Sequence, residues 1–194
     1  MEFLYSLDRG LFLLLNRGLA NPVFDVLMPW ITEEDHWKIP LLTIWLLLVV
    51  FGKKRGRIAA VCVAVALLLS DQTVNFVLKP WIHRIRPCFS LENVRLLIDQ
   101  PPSPSFPSSH AANMATAAFV LSFIYRRWTA LFVAIACVVA FSRIYVGVHY
   151  PSDVAGGALI GCVMAAAVLI GKKYFLALVE RIRTEKSRHD VADP

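Results

Sequence analysis

Apolar residues in this chain come in long blocks, not at amphipathic spacing, and short polar clusters separate the blocks. A bilayer-spanning helix needs about 20 mostly apolar residues. Five stretches read as spans, covering roughly residues 37–51, 58–78, 108–125, 128–145 and 152–174. The first is short, with Lys38 and Lys53 placed to snorkel and extend it. Residues 3–19 are apolar on balance but carry Asp8, Arg9, Asn16 and Arg17. They predict an interfacial helix or, with residues 23–31, a sixth and partly polar crossing. The expected fold is all-α: a polytopic membrane helical bundle of five transmembrane helices plus that N-terminal helix. It forms one domain over residues 1–194, with 1–36 an N-terminal helical segment, 79–107 an extracytoplasmic loop and 175–194 a cytoplasmic tail.

Composition agrees: 57% of residues are hydrophobic and 18% charged, well to the apolar side of soluble proteins. The net charge of +6 sits in short clusters between apolar blocks, which is a topology signal and argues against a nucleic-acid surface. Lys53, Lys54, Arg55 and Arg57 follow the first span, Arg126 and Arg127 follow the third, and Lys172, Lys173, Arg181, Arg183, Lys186 and Arg188 follow the fifth. All fall on one side, which the positive-inside rule makes cytoplasmic, together with the C-terminus. Three of the four cysteines (Cys62, Cys137 and Cys162) lie within apolar blocks and only Cys88 is in a loop, so neither a disulfide framework nor a CxxC metal pair is expected. The N-terminus shows no signal-peptide pattern.

Three polar clusters lie on the opposite, outer side: Lys79 to Pro87, Pro107 to His110, and Ser142-Arg143 through His149 to Asp153. Topology alone gathers them on one face. Basic residues there are disfavoured unless they have work to do, and Lys79, Arg86 and Arg143 suit phosphate oxygens, arginine as a fork and lysine as a point charge. Pro87 restricts the backbone at Arg86. Ser108 and Ser109 open a helix, where a capping role and an anion site on free amides coexist. His149 precedes Asp153 by four residues, so the carboxylate can hold one ring nitrogen and leave the other as a nucleophile. His83 and Arg84 read as headgroup or loop contacts. Asp71, Asn75 and Lys79 share one face of the second span, and a carboxylate at that depth needs a partner, so Asp71 supports the site from the interior. Gly157, Ala158, Gly161 and Cys162 mark a close helix contact.

In order and spacing the three clusters resemble the signature of the type-2 phosphatidic acid phosphatase superfamily, over residues 79–153. The resemblance implies a metal-independent and cofactor-free lipid phosphatase, with His149 the nucleophile forming a phosphohistidine, Asp153 orienting it and His110 protonating the leaving oxygen. Lys79, Arg86, Ser108, Ser109 and Arg143 would then hold the phosphate. Ser109 stands where relatives commonly have glycine. Vanadium haloperoxidases share this pocket signature, but the spans and small size argue against peroxide chemistry. A transporter would distribute charge through the bilayer depth, whereas polarity here concentrates at one face, and the intact set of three clusters argues against a catalytically inert scaffold. The expected setting is a bacterial inner membrane, with lipid phosphate as substrate and an extracytoplasmic site. Undecaprenyl diphosphate is the leading choice, from the weak likeness of residues 21–33 to small undecaprenyl-diphosphate phosphatases; phosphatidylglycerol phosphate, phosphatidic acid and lipid A 1-phosphate are the alternatives.

Overall fold

The computed structural model describes residues 2–99 and 102–192. The described residues are all-helical, without strands. The chain begins with α1 (Glu2–Leu13), which passes through a wide turn at Leu14–Gly18 and bends by 114° into α2 (Pro22–Thr32). Asn21 caps α2 by accepting the Phe24 amide at 2.9 Å, with Pro22 at the first helical position, where no amide is needed. Then come α3 (Glu34–Phe51) and α4 (Lys53–Gln72). A second wide turn, Thr73–Leu78, leads into the short α5 (Lys79–Ile82), and another short helix, α6 (Pro87–Ser90), follows. The bundle closes with α7 (Ser109–Ile124), α8 (Thr129–Tyr145) and α9 (Pro151–Ala192).

Each of the five expected spans is helical. Lys53–Ser90, Arg126–Tyr145 and Pro151–Glu185 are long and apolar enough to cross a membrane, and the bent N-terminal pair makes a fourth if taken together. With 16 residues, α7 reaches only about 24 Å at 1.5 Å per residue, short of the roughly 30 Å hydrocarbon core. The tail expected at 175–194 continues α9 as helix to Ala192.

Packing explains how the outer ends are held. α9 lies so close to α7 that a Cβ on Gly157 would stand 2.4 Å from the Ser108 carbonyl oxygen, and one on Gly161 2.2 Å from that of Ala112. The small-residue face is therefore the α7–α9 seam. Thr116 donates to the carbonyls of Ala112 (2.8 Å) and Gly161 (3.1 Å) across it. Toward the other end, Cys62, Ala66, Val120, Ala165 and Leu169 form an apolar cluster.

Of the polar residues in the N-terminal helix, Asp8 and Asn16 face inward, while Arg9 and Arg17 are exposed. Asp8, Phe12 and Asn16 are buried at i, i+4 and i+8, one helical face. Asn16 donates to the carbonyls of Tyr145 (2.7 Å) and Arg95 (2.8 Å) and accepts the Arg95 amide (2.9 Å). Tyr145 in turn donates to Asp25 at 2.6 Å. These bonds tie the N-terminal pair to the turn after α8. Gly147 in that turn has φ +93°, and a Cβ there would lie 2.6 Å from the Arg95 carbonyl oxygen, so only glycine fits.

Candidate active site

Every expected site residue lies at or near a helix end. Lys79 starts α5; Arg86 stands just before α6 with the extended backbone expected ahead of proline. Ser108 caps α7, accepting the Ala111 amide on Oγ at 3.4 Å, and Ser109 and His110 form the first turn. Arg143 lies in the last turn of α8, His149 in the following turn, and Asp153 in the first turn of α9. All residues from Ser142 to Tyr150 are buried.

His149 is 2% exposed. Its Nε2 is 3.1 Å from Arg86 Nη1, and its Nδ1 faces Asp153 Oδ2 at 3.5 Å without an aligned hydrogen bond. Burial, reinforced by the Arg86 and Arg143 charges and opposed by Asp153, pushes its imidazole down to about 3. It is neutral at pH 7, so one ring nitrogen keeps its lone pair. Asp153 Oδ2 also accepts the Tyr150 amide at 2.8 Å and the Ser105 hydroxyl. The Asp153 carbonyl accepts the Ser108 amide at 3.0 Å, joining the α7 cap to the start of α9.

Three cations are buried near this pair: Lys79 at 6% exposure, Arg86 at 3% and Arg143 at 5%. Lys79 is within electrostatic reach of the two arginines. Arg86 also donates to the carbonyls of Ser103 (2.7 Å), Val148 (2.9 Å) and Pro104 (3.3 Å), and so frames the loop ahead of α7. Arg143 donates to the Thr32 hydroxyl, while its Nε has no partner. With His110, Arg143 lines an open cavity of about 270 Å³, whose mouth carries Glu33, Glu34, Asp35 and Lys38. His110 Nε2 lies 3.1 Å from Glu34 Oε1.

Asp71 has the partners its depth requires: Asn75 donates to it at 2.8 Å and Asn113 at 3.4 Å. Asn75 accepts the Ser109 hydroxyl at 2.9 Å. Ser109 is thus held by a polar column formed with Asn75 and Asp71.

One expectation is corrected. Arg84 is not a headgroup contact; it turns inward and bonds Asp153 Oδ1 at 2.5 Å and Asp8 Oδ2 at 2.6 Å. His83, by contrast, is exposed. Sequence reasoning also missed Ser103, Ser105 and Thr32 as partners of the site, and only the i, i+4, i+8 spacing of Asp8, Phe12 and Asn16 signalled a buried face on α1. Among the described residues, no group of three or more His, Cys, Asp or Glu is set to hold a metal ion.

A neutral histidine backed by a carboxylate, three buried cations and a helix N-terminus suit attack on a phosphorus centre and stabilisation of its oxygens. The PAP2 superfamily profile matches residues 58–176. A lipid A 4'-phosphatase of Bacteroides thetaiotaomicron is 31% identical over 83% of this chain and 75% of its own length. The undecaprenyl-diphosphatase BcrC of Bacillus subtilis is 31% identical over 80% of this chain and 75% of its own. Among solved structures, Aquifex aeolicus LpxE superposes with a TM-score of 0.68 at 30% identity, covering 84% of this chain and 94% of that one.

Proposed function

The chain belongs to the PAP2 superfamily and is a phosphate ester hydrolase, and from that premise we propose that it dephosphorylates a lipid at the extracytoplasmic membrane face through a phosphohistidine on His149. The observation that carries this is the buried Arg86–His149–Asp153 line, with His110 and Arg143 on a cavity beside it. His149 Nε2 forms the bond to phosphorus as the bond to the lipid oxygen breaks, and His110 gives that oxygen its proton. Asp153 stabilises the charge that then develops on the His149 ring. Water next attacks phosphorus, the N–P bond breaks, and His110 takes up the water's proton. Lys79, Arg86, Arg143 and the α7 N-terminus at Ser108 and Ser109 hold the phosphoryl oxygens. The positive-inside rule, read on the basic loops, supports an outer site and a cytoplasmic C-terminus.

For the lipid, three buried cations favour a dense anionic group, and a diphosphate leaving group needs little protonation. Undecaprenyl diphosphate meets both conditions. A second reading has its own observation: Glu33, Glu34 and Asp35 surround the mouth beside His110. Carboxylates there repel a second phosphate and accept hydrogen bonds from sugar hydroxyls, which favours a phosphomonoester on a lipid A-type headgroup.

Purified protein tested on undecaprenyl diphosphate, lipid A, phosphatidylglycerol phosphate and phosphatidic acid, in one detergent, decides the lipid. The highest kcat/KM on the diphosphate supports the first reading; a tenfold preference for lipid A supports the second. Labelled phosphate trapped on a residue other than His149 would sink the proposed chemistry.

A further inference from the structure

α1 packs Phe12 against Tyr150 of the catalytic turn and reaches the polar side of that turn through one carboxylate. Asp8 is 9% exposed. Its Oδ1 accepts the Ser152 amide at 2.9 Å, and its Oδ2 accepts the Ser152 hydroxyl at 2.5 Å and Arg84 Nη2 at 2.6 Å. Arg84 Nη1 bonds Asp153 Oδ1 at 2.5 Å and Ser152 Oγ at 2.6 Å. The guanidinium lies over the Tyr150 ring, 4.2 Å from its centroid. One planar fork therefore bridges two carboxylates from opposite ends of the chain and braces the first turn of α9.

The division of Asp153 is informative. Arg84 holds Oδ1, leaving Oδ2 to the Tyr150 amide, the Ser105 hydroxyl and the face of His149 Nδ1. With both oxygens fixed, the carboxylate cannot rotate away from the imidazole. Without Asp8, Arg84 would keep Asp153 as its one charged partner and could swing further toward it, drawing its charge from the ring. A lysine could not span the two carboxylates as the fork does.

We propose that Asp8 and Arg84 are positioning residues of the reaction, a clamp that fixes Asp153 behind His149 and makes α1 part of the active site. This rests on His149 acting as the nucleophile. The alternative is a packing contact that holds α1 in place and leaves turnover alone.

The test uses the full chain in detergent. Partners that orient a catalytic ligand change activity by about 10–100-fold when removed. Asp8→Asn, which still accepts the Ser152 amide, should lower kcat by about tenfold with KM within about twofold. Arg84→Lys should do the same, and the double variant should be about as slow as the slower single one, as for two groups acting through one contact. Asp8→Glu should recover part of the loss. Arg9→Gln, one position along and exposed, should match the parent. If Asp8→Asn does not fold, Ser152→Ala removes the two bonds its hydroxyl makes, to Asp8 and from Arg84, and should lower kcat several-fold. Unchanged kcat in the variant that folds, or losses that multiply in the double variant, would overturn the clamp. Phosphate trapping on His149 in the parent separates the two ideas: absent trapping removes the underlying reading, whereas intact trapping with unaffected kcat in Asp8→Asn removes only the clamp.

Discussion

Arg86 Nη1 stands 3.1 Å from Nε2 of His149, so the cation expected to meet the phosphate rests against the nitrogen expected to attack it. The remaining donors of Arg86 are committed to Ser103, Pro104 and Val148. In the proposed mechanism a phosphoryl oxygen would displace only the hydrogen facing His149, and the same exchange would uncover the lone pair of Nε2.

Arg86→Lys should therefore harm both chemistry and framework. A lysine cannot serve three carbonyls and an incoming oxygen together. A fall in kcat/KM of about a hundredfold or more is expected, comparable to losing one donor to a developing oxyanion. The unfolding midpoint should drop as well. Steady-state kinetics and thermal unfolding of the same preparation check this.

The depressed imidazole of His149, at about 3, sets a sign for stability. An unfolded histidine titrates near 6.5, so between those values the unfolded chain binds the extra proton. Acidification through that window favours unfolding by up to about 1.4 kcal/mol per unit of pH from this group. The midpoint of thermal unfolding should fall from pH 7 to pH 4, and His149→Gln should flatten that slope.

Glu34→Gln removes the carboxylate 3.1 Å from His110 Nε2. In the proposed step, where His110 carries the proton for the leaving oxygen, it would then lack this nearby carboxylate. Hydrolysis of a phosphomonoester, whose alkoxide must be protonated, should slow more than hydrolysis of a diphosphate, whose leaving group is already acidic. The ratio of the two kcat/KM values is the measurement.

Orientation is testable with one added cysteine at a time in a Cys88→Ser background, which keeps only Cys62, Cys137 and Cys162 of the apolar blocks. Glu92→Cys should react with a membrane-impermeant reagent from outside intact cells, and Lys54→Cys should not; both positions are exposed. The reverse pattern would place the site on the cytoplasmic side.

Gly157→Ala puts a Cβ 2.4 Å from the Ser108 carbonyl oxygen. Overpacking of that kind costs about 1–3 kcal/mol. Because Ser108 caps α7 and bonds Asp153, activity should fall along with the unfolding midpoint.

The helical segments were legible because bilayer length and apolar blocks leave few alternatives, and the site because its residues sit where those blocks end. Arg84 was misread because its partner Asp8 lies 76 positions away, a pairing that no local spacing reveals. Asp8 and Asn16 looked like interruptions of an apolar helix, although their spacing with Phe12 marks one face, and what that face meets is fixed only by the tertiary fold. The wide turn at Thr73–Leu78 contains neither glycine nor proline to announce it.

That wide turn settles a matter of register. An α-helix holds 3.6 residues per turn, so residues spaced by four drift around the axis by about 40° at each step. A turn closed by bonds to the fifth residue holds roughly four or more residues, and a spacing of four becomes nearly one revolution. Asp71, Asn75 and Lys79 can then stack as a column, consistent with the 2.8 Å bond between the first two. Closing Thr73–Leu78 into ordinary helix at the same length would turn the Lys79 side chain by about 80° relative to Asp71, away from the arginines it joins. The way this turn is hydrogen-bonded therefore matters to the site as much as which residues it contains.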